Sequence, residues 1–190
     1  LVLDASDALC KIGSCGKPVL YNEVQIVDDK LKKVGVDEVG QLIVRGPNVT
    51  PGYWGSSEAN ETDFSDGWLK TGDAAKVDRE GYFYIVDRIK DMFISGGENV
   101  YPAEIENVLY ELPGILEVAV IGVPDEKWGE VGMAVVVCNP QLVLEEGVIL
   151  DHCSKHLAKY KVPKRVVFTA EIPKTASGKI QKTLLLDLFE

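Results

Sequence analysis

The stretch Ile94-Ser95-Gly96-Gly97-Glu98-Asn99-Val100-Tyr101-Pro102 lies where the pattern of this 190-residue chain changes from strands alone to strands and helices. Its glycine pair, Gly96-Gly97, permits positive φ angles and a close approach of another group to the backbone. Pro102 suits the first turn of a helix, and Glu104 and Glu106 then lie near the positive end of the helix dipole. The stretch therefore predicts a glycine loop that leads directly into a helix.

The chain after this loop predicts a compact domain of strands and helices. Ile105, Leu109 and Leu112 line one helical face, which ends at Pro113-Gly114. Further apolar patterns predict strands at 116–123, 133–137 and 166–168, a helix at 145–158 and a short helix after Gln181. Helices packed on one face of a small mixed sheet would make this domain α+β.

The first half of the chain predicts strands and turns. Val24, Ile26 and the run Leu42-Ile43-Val44 are typical of strands. Asp78-Arg79-Glu80-Gly81 separates two apolar runs, as the turn of a hairpin does. The predicted fold class is therefore α+β, with a small antiparallel β module over residues 1–88 followed by a compact α+β lid domain over residues 89–190.

The composition fits one ordinary domain or two small ones, since 46% of the residues are apolar and 26% are charged. The net charge of −10 argues against nucleic-acid binding. The segment 155–182 departs from this balance, because its eight lysines and arginines face Glu171 as the one acidic residue. The segment provides a local positive field for an anionic ligand or, for Lys155 and Lys159 in particular, a solvated helix face.

The four cysteines, Cys10, Cys15, Cys138 and Cys153, contain no C-x-x-C pair and no zinc spacing. His152 adjoins Cys153, but neighbouring helical residues point in different directions, so we predict no metal site in this chain. We expect mostly buried free thiols and a cytoplasmic location, where thiols stay reduced. No signal peptide or apolar run of transmembrane length is visible, and the lack of an initiator methionine suggests a fragment.

Three features offer chemistry to a nucleotide. Asp73 ends a T-G-D turn, and an ionised carboxylate can accept two hydrogen bonds from a ribose diol. The guanidinium of Arg88 can grip ribose or phosphate oxygens, and Lys179 follows a Ser-Gly turn in Pro173-Lys174-Thr175-Ala176-Ser177-Gly178-Lys179-Ile180. Taken singly, each has an ordinary alternative: a plain turn for Asp73, a surface pair with a neighbouring aspartate for Arg88 and a solvated loop for Lys179.

Four motifs, taken in order, resemble the adenylate-forming superfamily of acyl-CoA synthetases, nonribosomal peptide synthetase adenylation domains and luciferases. They are K-T-G-D at 70–73, D-R-I-K-D at 87–91, I-S-G-G-E-N at 94–99 and P-K-T-A-S-G-K-I at 173–180. The resemblance runs from about residue 12 to residue 180. The sequence around Gly96-Gly97 is most similar to that of acyl-CoA synthetases.

This resemblance implies a ligase that joins a carboxylic acid, with a fatty acid favoured, to CoA through an acyl-adenylate made from ATP. It places Lys179 in catalysis of the first step and Lys90 at the hinge of a lid that alternates between the two steps. The implied ATP- or AMP-binding residues are Asp73, Ile85, Arg88 and Lys179. The implied CoA-binding residues are Ser95, Gly96, Gly97, Glu98, Trp128 and Tyr160.

The implied partners are a carboxylic acid, ATP and CoA, with the Mg²⁺ ligands expected upstream of this chain. No nucleic acid is expected, a homo-oligomer stays open, and we expect the chain alone to be inactive. One alternative is an adenylation domain that loads a carrier protein, and another is a non-catalytic fragment that binds nucleotide or CoA. For Trp128, the alternative is a core or edge aromatic.

Overall fold

A computed structural model describes residues 1–142 and 144–189 of the protein. The chain divides into two compact units, the first over Leu1–Lys90 and the second beginning at Asp91. The boundary predicted from the sequence lies two residues earlier, after Arg88. Both positions lie at a single turn of 3-10 helix, Ile89–Asp91.

The first unit is built on an antiparallel sheet. Its core is formed by Ile26, Leu42, Ala75 and Phe83, which come from four different parts of the sheet. The elements are β1 (Glu23–Val27), β2 (Gly40–Arg45), α1 (Ser57–Asp63), β3 (Phe64–Ser65), β4 (Trp68–Val77) and β5 (Phe83–Arg88). Strand β4 pairs with β2, β3 and β5, and β1 pairs with β2.

The second unit is built on a mixed sheet around β9 (Gly129–Cys138). This strand pairs antiparallel with β8 (Ile115–Asp125) and β6 (Phe93–Ser95) and parallel with β10 (Arg165–Phe168). The α+β class predicted for the chain is confirmed. Within the described residues, no helix is long and apolar enough to cross a membrane. The elements are β6 (Phe93–Ser95), β7 (Glu98–Val100), α2 (Pro102–Tyr110), β8 (Ile115–Asp125), β9 (Gly129–Cys138), α3 (Glu146–His156), β10 (Arg165–Phe168) and α4 (Lys182–Phe189).

Helices cover both faces of the second sheet, so the prediction that they pack on one face is wrong. Val118 and Val120 of β8 pack in one cluster with residues of α2 and α3. Ala119 and Ile121, between and beyond them, pack in a second cluster with Leu185 of α4. Because successive side chains of a strand point to opposite faces, a strand that is apolar throughout needs cover on both.

The β8–β9 hairpin is longer than the predicted strands at 116–123 and 133–137. The ladder continues to the pair Asp125↔Gly129, so only residues 126–128 form its turn. The residues at this end of the ladder are mostly polar residues and glycines. They form no apolar pattern from which the extra strand pairs could have been predicted. The extension carries the turn to Ser95 of β6, which pairs with Gly129.

The four cysteines are free, and most of them are not buried, which corrects the prediction of mostly buried thiols. Cys10 is exposed and Cys15 and Cys138 are partly buried, whereas Cys153 lies in the core on the inner face of α3. Burial raises the pKa of the Cys153 thiol to about 11. Apolar periodicity predicts burial only for Cys153, because this residue follows Ile149 by one helical turn on the inner face of α3.

Candidate functional site

Asp73 and Arg88 lie opposite each other on strands β4 and β5 of the first unit. Nη1 of Arg88 donates a hydrogen bond of 2.7 Å to Oδ1 of Asp73. The side chain of Asp73 is 23% exposed and that of Arg88 is 53% exposed. The carboxylate keeps further acceptor sites and the guanidinium keeps further donors, so the pair can still bind a polar ligand.

The backbone before Asp73 is shaped by its two neighbours. Gly72 adopts a φ of 75°, and Oγ1 of Thr71 donates to the carbonyl oxygen of Leu42 while accepting from the Asp73 amide. Thr71, Gly72 and Asp73 lie within strand β4, at an irregularity in its pairing with β2, so the prediction of a T-G-D turn is wrong. Ile85 lies on β5 and is 40% exposed, so it adds an apolar surface to the same strand as Arg88.

Gly96 and Gly97 form the two-residue turn of the β6–β7 hairpin in the second unit. Their φ angles are 62° and 89°, and positive values at both central residues are what a tight type I′ hairpin turn requires. The strands pair through Ser95↔Glu98 at the base of the turn. The glycines thus have the predicted positive φ angles, but in a hairpin rather than an open loop.

Trp128 lies against this hairpin turn. The amide of Gly96 donates a 2.9 Å hydrogen bond to the carbonyl oxygen of Trp128. A Cβ atom placed on Gly96 would lie 2.8 Å from Cε3 of the Trp128 ring. The Trp128 amide donates to Oδ1 of Asp125, which holds the β8–β9 turn in place. Because 42% of its surface is exposed, Trp128 is not a core aromatic. Its ring packs against Gly96 at the surface of the second unit.

A pocket of about 220 Å³ in the second unit brings three of the predicted CoA residues together. Ser95, Trp128 and Tyr160 line it, and so do Lys159 and Lys164. The amide of Lys164 donates to the carbonyl oxygen of Gly132, which anchors this segment beside β9. Two aromatic residues and two lysines line this one pocket, a combination that suits a ligand with both an apolar part and phosphate groups.

The two lysines of this pocket were not assigned by the sequence analysis, which interprets Lys159 as part of a solvated helix face. Helix α3 ends at His156, so Lys159 lies in the following segment and lines the pocket. The available signal was the basic segment 155–182, which does not say which of its lysines share a pocket. Of the other predicted CoA residues, Gly97 and Glu98 are exposed at the hairpin.

Lys179 lies on an exposed loop closed by its own backbone. Thr175 and Lys179 exchange two hydrogen bonds, from the Thr175 amide to the Lys179 carbonyl and from the Lys179 amide to Oγ1 of Thr175. Gly178 adopts a φ of 83°, which allows this tight turn. Lys174 and Ile180 pair as an antiparallel bridge at its base. The loop therefore presents Lys179 at a defined point of the surface.

Glutamates pair with three lysines of the basic segment, and Lys179 is not one of the three. Among residues 1–142 and 144–189, the Lys179 ammonium takes part in no salt bridge. Three other lysines of the segment are paired in the second unit: Lys161 with Glu104, Lys174 with Glu117 and Lys182 with Glu106. Lys179 is thus available to an anionic ligand.

The predicted residues therefore fall into separate groups. Asp73 and Arg88 are in contact in the first unit, and Ile85 shares a strand with Arg88. The pocket of the second unit and the Lys179 loop do not share lining residues. Lys90 is exposed and is the last residue of the first unit, within the 3-10 turn.

Two family models match the chain. Residues 104–179 match the AMP-binding enzyme C-terminal domain, and residues 2–54 match the AMP-binding enzyme family. The chain is 50% identical to a feruloyl-CoA synthase of Amycolatopsis sp, covering 96% of the chain and 37% of that protein. It is 44% identical to the long-chain-fatty-acid–CoA ligase FadD13 of Mycobacterium tuberculosis, covering 99% of the chain and 37% of that protein.

A solved structure shows the same fold. The o-succinylbenzoate CoA synthetase of Bacillus subtilis, in complex with its acyl-adenylate intermediate, matches with a TM-score of 0.91 and 40% identity. The match covers 96% of the chain and 37% of that enzyme. The same synthetase is also known in complex with ATP and magnesium ion. The chain thus spans 37% of the length of each of these relatives.

Proposed function

Since the chain belongs to the family of AMP-binding, adenylate-forming enzymes, we propose that it forms the C-terminal part of an ATP-dependent acid–CoA ligase. In the first step a carboxylate attacks the α-phosphate of ATP, giving acyl-adenylate and pyrophosphate. In the second, the CoA thiol attacks the acyl carbon and releases AMP. The observation that carries the CoA step is the pocket where Ser95, Trp128 and Tyr160 meet two lysines.

The substrate that we propose is a carboxylic acid. A fatty acid is the expectation from the sequence, but the similarity is shared between relatives named for feruloyl and for long-chain fatty acyl groups. Neither the pocket nor the Lys179 loop is assigned to the acyl group. We therefore assign the choice of acyl group to residues outside this chain.

For the first step, we assign the ribose to Asp73 and Arg88 and the reacting phosphate to Lys179. The carboxylate of Asp73 can accept from the ribose hydroxyls, and Arg88 can donate to ribose or phosphate oxygens. Ile85 supplies apolar surface for the adenine. Negative charge develops around the α-phosphorus as the carboxylate attacks, and a positioned ammonium stabilises that charge most in the transition state. The magnesium ligands are assigned to the part of the enzyme outside this chain.

For the second step, we assign the CoA to the pocket and to the glycine hairpin beside it. Stacking on Trp128 and Tyr160 suits the adenine ring, and the ammonium groups of Lys159 and Lys164 suit the phosphates. Gly96 has no side chain, which lets the chain approach the ligand closely. Gly97 and Glu98 complete the exposed side of the hairpin.

Lys90 is assigned as the hinge between the two steps. Lid motions turn about a few residues at the ends of elements, which absorb the change in backbone angles. Lys90 meets this requirement, because it is exposed and ends the first compact unit. Such a motion would let Lys179 serve the first step and the glycine hairpin serve the second.

A chimera tests the proposal with a known substrate. In it, this chain replaces the matching part of the Bacillus subtilis o-succinylbenzoate CoA synthetase, and circular dichroism confirms folding. We expect the chimera to form the CoA thioester from o-succinylbenzoate and ATP. Lys164→Ala should raise the KM for CoA about tenfold, equal to ~1.4 kcal/mol, without slowing adenylate formation.

The matched control is Lys155→Ala, which removes an exposed lysine outside the pocket. It should leave the KM for CoA within about twofold, since an isolated surface charge contributes little. Equal effects of the two substitutions would exclude the pocket as the CoA site. A folded chimera that forms acyl-adenylate but transfers the acyl group only to a carrier protein would favour the carrier-loading alternative.

A further inference from the structure

Three side chains outside the sites described above gather between helices α2 and α3. His152 and His156 lie one turn apart on α3, and Glu111 follows directly after α2. One ligand atom from each lies within 4.8 Å of those of the other two. The rings of the two histidines are 4.4 Å apart between centroids. Imidazole nitrogens with a carboxylate oxygen are a ligand set of zinc and related metals.

The hydrogen bonds of the two rings leave one lone pair on each. Nδ1 of His156 lies 2.9 Å from the carbonyl oxygen of His152, and Nε2 of His152 lies 3.0 Å from that of Val108. A carbonyl oxygen only accepts, so each of these nitrogens donates and the other nitrogen of each neutral ring carries a lone pair. Metal-binding histidines usually make such a second hydrogen bond, which fixes the orientation of the ring.

We propose that Glu111, His152 and His156 form a site for a divalent transition metal such as zinc, which joins the end of α2 to α3. The His152 nitrogen that lies near Glu111 is Nε2, 4.0 Å from a carboxylate oxygen, so binding through it moves the ring proton to Nδ1 and gives up the hydrogen bond to the Val108 carbonyl oxygen. His156 binds through Nε2 and keeps its hydrogen bond to the His152 carbonyl oxygen. Three protein ligands leave a fourth position for water or another ligand. In the sequence, the adjacent pair His152-Cys153 is not a ligand set, and no metal site is predicted from it.

The site needs only small side-chain movements to close around the ion. Ligands 2.0–2.1 Å from a tetrahedral zinc ion lie about 3.4 Å from one another, whereas the three atoms here lie within 4.8 Å. Glu111 and His156 are exposed and can rotate, and the 64% exposure of the Glu111 side chain leaves it room to do so. His152, with 18% exposure, is the fixed member of the set.

The 190-residue chain allows a direct test, because His152 and His156 are its only histidines. Zinc is titrated into the ¹⁵N-labelled chain, and the imidazole signals are followed by long-range ¹H–¹⁵N NMR. We expect both rings to shift together at one zinc per chain and to return when EDTA is added. The zinc-free spectrum should show the proton on Nδ1 of His156 and on Nε2 of His152.

Glu111→Gln separates a shared site from independent binding to each histidine. We expect it to weaken zinc binding at least tenfold in competition with a chromophoric chelator and to abolish the rise in melting temperature that zinc gives. The control is Glu146→Gln, an exposed carboxylate at the start of α3 that should change neither quantity. Imidazole signals that shift separately, or equal zinc affinities of the two variants, would overturn the proposal. Zinc binding at the cysteines instead would also overturn it.

Discussion

Gly96→Ala tests the packing of the glycine hairpin against Trp128. Gly96 has a φ of 62°, and a Cβ atom there would meet Cε3 of the Trp128 ring at 2.8 Å and Cζ3 at 3.1 Å. Gly97 is a matched control, because its φ is 89° and a Cβ atom there would meet nothing within 4 Å. Alanine at either position has backbone strain, but only at Gly96 must the ring also move.

The two contributions can be estimated separately. A left-handed conformation costs an alanine about 1–2 kcal/mol, and its smaller entropy in the unfolded chain offsets roughly 0.4–1 kcal/mol of this. Gly97→Ala should therefore destabilise the second unit by about 1 kcal/mol. Overpacking costs about 1–3 kcal/mol, and the partly exposed ring can turn outward, so the lower end applies. Gly96→Ala should then cost about 2 kcal/mol in total.

Protection of Cys153 provides the assay, because this thiol is buried in the core of the second unit. The chain is pulsed with an alkylating reagent over a range of urea concentrations, and modification of Cys153 is measured by mass spectrometry. The free energy of unfolding of the second unit follows from the midpoint and slope. Circular dichroism would instead mix the transitions of the two units.

A double-mutant cycle decides whether the extra loss comes from the ring. In a Trp128→Ala background, Gly96→Ala should cost only about 1 kcal/mol, as Gly97→Ala does, which gives a coupling of about 1 kcal/mol. Equal destabilisation by Gly96→Ala and Gly97→Ala in the native background would refute the reasoning. So would a cost of Gly96→Ala that is unchanged when Trp128 is absent.

Two further predictions concern ionisable groups. The hydrogen bond from Lys11 lowers the pKa of Asp78 to about 2, so the stabilisation from this pair is complete above a pH of about 4 and is lost as the pH falls toward 2. Asp78→Asn should thus lower the melting temperature at pH 7 and differ less from the native chain at pH 2, and a constant difference would contradict this. Burial raises the pKa of Cys153 from 9.0 to about 11, which leaves about a hundredfold less thiolate at pH 8. Alkylation should modify Cys10 well before Cys153, and similar rates for the two thiols would show that Cys153 is not protected.

Local features of the sequence predicted local structure well. The turn at Asp78–Gly81, the helix start at Pro102 and the positive φ angles of Gly96 and Gly97 depend on a few adjacent residues. The face on which a helix packs depends on residues far away in the chain. Both faces of β8 and β9 are apolar, so the pattern of α4 could not show which one it covers.

The sites show the same division between local and distant information. Asp73 and Arg88 are each marked by a motif, but their contact follows from the β4–β5 register. Lys164 reaches the Trp128 pocket because β10 runs parallel to β9, a pairing that no single segment reveals. His152 and His156 have the spacing of one helical turn, whereas Glu111 follows the end of another helix. Such groupings are set by tertiary packing.

Lys179→Ala in the chimera tests the central claim most directly, because it measures the two half-reactions separately. Adenylation is followed as o-succinylbenzoate-dependent ATP–pyrophosphate exchange, and thioester formation is followed from supplied acyl-adenylate and CoA. The exchange should fall about 10²–10³-fold, as when a transition-state donor is removed, while thioester formation falls less than about threefold. Equal losses in both half-reactions, or an unchanged exchange rate, would contradict the assignment of Lys179 to the first step.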